Sequence, residues 1–245
     1  AGKTRYTDSR GVERLRDALS AWYQSHGLDV PARRIQITMG ASGGLLLASA
    51  ATTNPGDGVL MADPAYPCNP RFVEAVGGEV HWITTDVTTQ FQPTCKALEA
   101  EVTANDRTLM LAHPANPTGQ AVPRAELERM IHWCLTTHRH LIIDEIYQSL
   151  TFNDALCSSL KISDQHFVVG SFSKYFNMTG WRLGWLVIPE YALEATQRLA
   201  QHLFICAPSF AQEAALACFE SEALQEAEMH RRELKARRDL LIPRL

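Results

Sequence analysis

Short apolar runs alternate with amphipathic stretches along the chain as far as residue 188. Seven runs, at residues 34–39, 58–62, 79–84, 107–112, 140–143, 166–170 and 184–188, are mostly rich in Val, Ile and Leu and bounded by Gly, Pro, Asp or Asn. That composition and those boundaries predict strands. Between them the apolar positions recur at helical spacing. Val12, Leu15, Leu19 and Trp22 share one face, as do Leu127, Met130, Ile131 and Cys134 behind Pro123, which suits a helix start. Strand, helix, strand repetition predicts an α/β fold with a largely parallel sheet covered by helices on both faces. From 189 to 242 only helical periods remain, broken once near Pro208. The stretch 222–238 is dense in charge, with Glu228–Arg232 and Glu233–Arg237 at the i, i+4 spacing, and Pro243 should stop it. No repeat, low-complexity tract or internal linker interrupts the pattern, so residues 1–245 read as one domain.

Composition narrows the classes. A chain of 245 residues that is 46% hydrophobic can bury a large core, which argues against disorder. Its 23 basic and 27 acidic residues leave a net charge of −4, spread without a basic patch, so neither nucleic acid nor an anionic membrane is an expected partner. No apolar run approaches the roughly 20 residues of a membrane span. The six cysteines form no C-x-x-C pair and read as reduced thiols of a cytoplasmic protein. His132, His138 and His140 are close in sequence, but no second ligand cluster supports a metal site. The start, Ala1-Gly2-Lys3-Thr4, has no Met and no basic or apolar leader, and reads as a point midway along a longer sequence.

In a parallel α/β sheet, ligands bind beyond the carboxyl ends of the strands. Five of the predicted strands are followed there by unusual chemistry: Gly40-Ala41-Ser42-Gly43-Gly44, Asp63-Pro64-Ala65-Tyr66-Pro67, His113-Pro114-Ala115-Asn116-Pro117-Thr118-Gly119, Asp144-Glu145-Ile146-Tyr147, and Ser171-Phe172-Ser173-Lys174 with Arg182 beyond it. The glycine-rich stretch at a helix start offers free backbone N–H groups to an anion, with Ala41 and Ser42 at its centre. Ser171 and Arg182 add a hydroxyl and a permanent positive charge suited to phosphate. Asp144, ending a buried run, calls for a cationic partner. Tyr147 and Asn116 can donate to an oxyanion, Tyr66 offers a flat ring, and Lys174 is a nucleophile beside the cradle. Pyridoxal phosphate uses all of these: a phosphate, a ring nitrogen that must stay protonated, a phenolic oxygen, a flat ring and an aldehyde.

The segment Ser171-Phe172-Ser173-Lys174-Tyr175-Phe176-Asn177-Met178-Thr179-Gly180-Trp181-Arg182-Leu183-Gly184 closely resembles the lysine motif of class I/II, fold-type I aminotransferases. The Asn116-Pro117-Thr118-Gly119 and Asp144-Glu145-Ile146-Tyr147 segments resemble two further motifs of that family, in the family's order. The resemblance implies a three-layer α/β/α fold on a mostly parallel seven-stranded sheet in which the strand at 184–188 is antiparallel. It implies that Lys174 is the Schiff-base lysine and proton-transfer base, that Asp144 pairs with the ring nitrogen, and that Tyr147 and Asn116 hold the phenolic oxygen. Tyr66 would stack on the ring, and Ala41, Ser42, Ser171 and Arg182 would bind phosphate. Tyr6 resembles a tyrosine that reaches the phosphate of a neighbouring subunit, which implies a homodimer. The implied reaction moves an amino group between an amino acid and a 2-oxo acid. The family's N-terminal segment and C-terminal small domain, the latter supplying an arginine for the substrate carboxylate, are expected outside this sequence.

Plainer readings exist for single residues. Lys174 alone would be a surface lysine, Asp144 a helix cap, Tyr66 a turn aromatic, and Trp181 and Trp185 core or interface. A lyase, a synthase or a non-catalytic pyridoxal phosphate module would use the same residues. A serine hydrolase is the rival from another class: Gly40-Ala41-Ser42-Gly43-Gly44 fits G-x-S-x-G, with Ser42 as nucleophile, Asp144 next, and His166 or His202 to complete a triad.

Overall fold

The computed structural model describes residues 4–152 and 158–244. Ala1, Gly2, Lys3, Cys157 and Leu245, which bear on the readings above, lie outside the described residues. In chain order the regular elements are α1 (Glu13–Ser25), β1 (Ile35–Thr38), α2 (Gly40–Thr52), β2 (Gly58–Asp63), α3 (Asn69–Ala75), β3 (Glu79–Thr84), α4 (Cys95–Glu101), β4 (Asp106–Ala112), α5 (Arg124–Thr136), β5 (His140–Asp144), β6 (Phe167–Ser171), β7 (Gly184–Val187), α6 (Leu193–Phe204), α7 (Ser209–Ala215) and α8 (Ser221–Leu241).

The strands form one seven-stranded sheet in the order β1-β7-β6-β5-β4-β2-β3. β7 runs antiparallel to both its neighbours, and the pairs β2–β3, β2–β4, β4–β5 and β5–β6 are parallel. Six strands therefore point the same way and β7 opposes them. Successive side chains of a strand face opposite sides of the sheet, and the core divides accordingly. Met61, Met110, Ile142, Val169 and Leu186 pack under α2, α3 and α6. Leu60, Leu109, Leu111, Leu141 and Ile143 pack under α4 and α5. Val168, Trp185 and Val187 on that second face meet α1 and α7, where Leu15, Leu19 and Trp22 are buried. The result is the expected three-layer α/β/α arrangement.

Each apolar run became a strand, with shifts at the ends that matter for the site. Asp144 and Ser171 are the last residues of β5 and β6 rather than the first residues after them. Asp144 is in register with Ala112 and Val169, and Ser171 with Gly184, so neighbouring backbones extend the ladder past the apolar side chains. Likewise α2 starts at Gly40, making the glycine-rich stretch its first turn. The C-terminal region breaks twice rather than once: Ile205 takes φ +63° after α6, and a 3-10 turn at Leu216–Phe219 separates α7 from α8. Pro243 lies in a final 3-10 turn continuing from α8, consistent with its missing N–H. Both i, i+4 pairs form on α8, Arg232 with Glu228 and Arg237 with Glu233.

Candidate active site

The carboxyl ends of β4, β5 and β6 lie side by side, and β7 starts at the same edge because it runs the other way. Arg182, two residues before β7, is delivered to the strand-end edge for that reason. Ala112 and Asp144 are paired at the ends of β4 and β5. A cavity of about 260 Å³ opens there, and it is lined by Ala41, Ser42, Tyr66, Asn116, Asp144, Tyr147, Ser171, Lys174 and Arg182. These are nine of the ten residues singled out from the sequence. The tenth, Tyr6, is 80% exposed and lies outside this cavity. The backbone beside it is tied to α7, where Ser209 Oγ donates to the Arg5 carbonyl at 2.6 Å.

Part of the lining has the groups to receive an anion. The first N–H groups of an α-helix have no partner within it, and α2 points that end at the cavity. Gly40 has φ +68°, and a Cβ there would come within 2.7 Å of Arg182 Nη2, so glycine both permits the turn and lets the guanidinium approach the helix start. Gly184 is equally constrained, since a Cβ would meet the Gly40 carbonyl carbon at 2.7 Å. Arg182 itself takes φ +51° and donates through Nη1 to the Thr179 carbonyl at 2.9 Å. Ser171 Oγ accepts from the Ser173 N–H at 3.0 Å, which fixes the turn leading to Lys174.

The same lining carries a carboxyl group. Asp144 is buried, and the one hydrogen bond its carboxyl accepts among the described residues comes from the Ile146 N–H, at 3.1 Å. Burial pushes its pKa up from 3.8 to about 6, opposed by that N–H and by the charge of Lys174. Its neighbour Glu145 is pushed up to about 7 by burial, with its Oε1 accepting from both the N–H and the hydroxyl of Ser159 at 2.6 Å. Lys174 Nζ lies 5.3 Å from the centroid of the Tyr147 ring, and Asn116 Nδ2 reaches Tyr147 Oη at 3.5 Å. A lysine amine, a phenol, an amide and a buried carboxyl thus share one cavity with an anion cradle.

The geometry also sorts the plainer readings. Trp185 is core, buried with its Nε1 donating to Tyr23 Oη at 2.9 Å, whereas Trp181 is exposed. Ser42 lines the cavity, but the histidines required by a hydrolase triad are elsewhere. His166 is buried with Nε2 at 2.7 Å from Ser159 Oγ, and His202 is exposed on α6. No cluster of metal-ligating side chains occurs among the described residues. Sequence reasoning missed Asn69, Phe72, Leu45 and Thr179 in the cavity wall. Asn69 had a signal: it sits three residues after Tyr66, between Cys68 and Pro70, where a helix can begin.

The family description "Aminotransferase class I and II" matches residues 2–245. The chain is 41% identical over 240 residues to the valine–pyruvate aminotransferase of Mycobacterium tuberculosis, covering 97% of this chain and 62% of that protein. It is 33% identical to the (5-formylfuran-3-yl)methyl phosphate transaminase of Methanocaldococcus jannaschii, covering 98% of this chain and 63% of that one. The crystal structure of an aminotransferase from Mycobacterium tuberculosis superposes with a TM-score of 0.94 at 40% identity, over 99% of this chain and 63% of that chain. A Thermus thermophilus aspartate aminotransferase variant gives 0.92 at 29% identity, over 99% of this chain and 68% of that chain. The chain belongs to the class I and II aminotransferase family, whose members depend on pyridoxal phosphate. It spans somewhat less than two thirds of the curated relatives just named.

Proposed function

We propose that this chain is the cofactor-binding large domain of a pyridoxal phosphate-dependent aminotransferase that moves an amino group between an amino acid and a 2-oxo acid. The carrying observation is Asp144: a buried carboxyl, without a salt bridge among the described residues, facing the same cavity as Lys174 and the anion cradle. A buried carboxylate calls for a cation, and a protonated pyridine nitrogen is one of the right shape.

The residues present fit the cofactor. Ala41, Ser42, Ser171 and Arg182 would hold its phosphate, Asn116 and Tyr147 its phenolic oxygen, Asp144 its ring nitrogen and Lys174 its aldehyde, with Tyr66 against the ring. When bound, the cofactor supplies an electron sink for charge developing at the substrate Cα. The chain's own contributions are these. Asp144, ionised by its cationic partner, keeps the ring nitrogen protonated. Lys174 Nζ takes and returns the Cα proton, and the neighbouring Tyr147 ring limits where that amine can swing. Arg182 and the α2 N-terminus fix one end of the ligand, so that Lys174 and Asp144 meet it in register.

The same reading makes the protein a homodimer in which Tyr6, exposed on this chain, reaches the site of a second copy. It places the protein in the cytoplasm, in keeping with the free thiols of Cys68, Cys95, Cys134, Cys206 and Cys218. No described helix is long and apolar enough to cross a membrane. Borohydride reduction of the full-length protein after incubation with pyridoxal phosphate, followed by peptide mass mapping, tests the core of it. The expected result is a reduced adduct on Lys174. An adduct on another lysine, or none, overturns the reading. Amino-acid panels with a 2-oxo acid acceptor then distinguish amino transfer from elimination on the same residues.

A further inference from the structure

His113, the residue after β4, is 1% exposed and bonds to three different segments. Its N–H donates to the Asp144 carbonyl at 2.9 Å, one step past the pairing of Ala112 with Asp144. Its ring Nδ1 accepts from the Val122 N–H at 2.9 Å, closing the segment 113–122 onto its own start. Its carbonyl accepts from Gln148 Nε2 at 2.8 Å. The closed segment carries Asn116, and Gln148 directly follows Tyr147. Asn116 and Tyr147, whose polar atoms lie 3.5 Å apart, therefore ride on two loops that the Gln148–His113 bond joins.

A buried glutamine in a folded protein ordinarily has its whole amide satisfied. Gln148 is 3% exposed and satisfied only by half, since its Oε1 has no hydrogen-bond partner among the described residues. Leaving a buried polar atom unpaired costs more than one hydrogen bond returns, so this amide is poorly explained as a stabiliser of the fold. The bond it does make is better explained by placement, because a hydrogen bond is narrow in length and angle and fixes the spacing of the loops it joins. We infer that Gln148 is a positioning residue acting through the His113 carbonyl, setting the spacing of Asn116 and Tyr147, the pair assigned above to the phenolic oxygen. The inference rests on the proposed cofactor reading and adds to it a residue that does not line the ligand cavity. Donors held on an oxyanion favour its charged, unprotonated form. Slack between them therefore raises the pH at which the bound cofactor gives up its proton.

Spectroscopic pH titration of the full-length protein loaded with pyridoxal phosphate tests it, because the visible band of the bound cofactor reports that proton. Gln148→Met keeps the length and removes the amide, and should raise the midpoint by about half a pH unit, the share of one neutral hydrogen bond felt at the oxyanion. In an Asn116→Ala background, where no amide remains to be positioned, the same change should move the midpoint by less than about 0.2 unit. Gln148→His, which keeps an N–H at similar reach, should restore most of the parent midpoint. If Gln148→Met does not fold, Gln148→Glu takes its place, since an ionised carboxylate cannot donate to the His113 carbonyl. A thermal melt accompanies each variant. Lower stability with an unmoved midpoint marks a purely structural residue and overturns the inference, as does an undiminished shift in the Asn116→Ala background. Either outcome leaves the cofactor reading intact. A parent protein that shows no visible band with pyridoxal phosphate overturns both.

Discussion

The two edges of the sheet use the same residue types in opposite ways. At the amino-terminal edge, Asp106 is buried at the start of β4 with three partners on one oxygen: its Oδ2 accepts from Thr103 N at 2.7 Å and Thr103 Oγ1 at 2.9 Å, and meets His81 Nδ1 at 2.9 Å. Arg34, also buried at that edge, donates Nε to the Ile188 carbonyl at 2.7 Å and pairs Nη1 with Asp164 at 2.9 Å. At the carboxyl-terminal edge, Asp144 has one backbone N–H and Arg182 one carbonyl. Buried polar groups in folded proteins are nearly always satisfied. A rim where a buried aspartate accepts a single N–H and a buried asparagine leaves its Oδ1 unpaired, beside an exposed arginine, is therefore where a ligand belongs, whereas at the opposite rim Asp106 and Arg34 help to secure the fold.

The sharpest way to break this comparison is to neutralise both aspartates. For Asp144 the sign is set by burial: its pKa in the fold, about 6, lies above the ordinary 3.8. Ionising it therefore opposes folding of the cofactor-free protein. Stability is intact below pH 3.8, falls as the pH rises to about 6, and is lower by about 3 kcal/mol above that. Asp144→Asn should raise the melting temperature of the cofactor-free protein at pH 8, with the gain fading toward pH 4. In the same variant kcat should fall by about 10²-fold or more. Asp106→Asn should do the reverse, costing about 2 kcal/mol of stability and leaving kcat within about twofold. Thermal melts across pH, with steady-state kinetics on each variant, decide it. Matching behaviour of the two variants would erase the distinction between the rims.

The carboxyl-edge chemistry was largely legible because it is local. Asn116, Asp144 and Lys174 each follow an apolar run within a few residues, and position after a strand is something a one-dimensional pattern records. What escaped was set by register and by contacts across the chain. That Asp144 and Ser171 still belong to their strands depends on backbones from Ala112, Val169 and Gly184. Asn69 went unread because nothing nearby in sequence reveals an amide left unpaired. The Glu145–Ser159–His166 chain joins one strand end to a later strand's start through an intervening turn, and its members look unremarkable one by one. The second C-terminal break, at Leu216–Phe219, falls in an unbroken helical period with no Gly or Pro to announce it.

The arginines make a milder contrast. Arg34→Met removes a buried cation from two carbonyls and a carboxylate, and should destabilise the fold by about 3 kcal/mol in urea melts. Arg182→Met lies on an exposed residue and should change stability by less than about 0.5 kcal/mol. It should weaken binding of pyridoxal phosphate by about 30-fold, the worth of a charge-assisted bond to phosphate. Comparable destabilisation by both variants would mean that Arg182 secures the fold too.

Ser42 offers the smallest effect and separates the two chemistries that fit its surroundings. Ser42 is exposed in the first turn of α2, where Ala41 and Arg182 line the same cavity. A neutral hydroxyl added to such a set contributes about 1 kcal/mol, so Ser42→Ala should weaken cofactor binding about fivefold and leave kcat nearly unchanged at saturation. A nucleophile would behave differently, since its loss abolishes turnover whatever the cofactor concentration. The hydroxyl also lacks the activation a nucleophile needs, because His166 is committed to Ser159 on the buried side of Glu145. Titrating the Ser42→Ala protein with pyridoxal phosphate while following turnover separates an affinity defect, which saturation repairs, from a chemical one, which it does not.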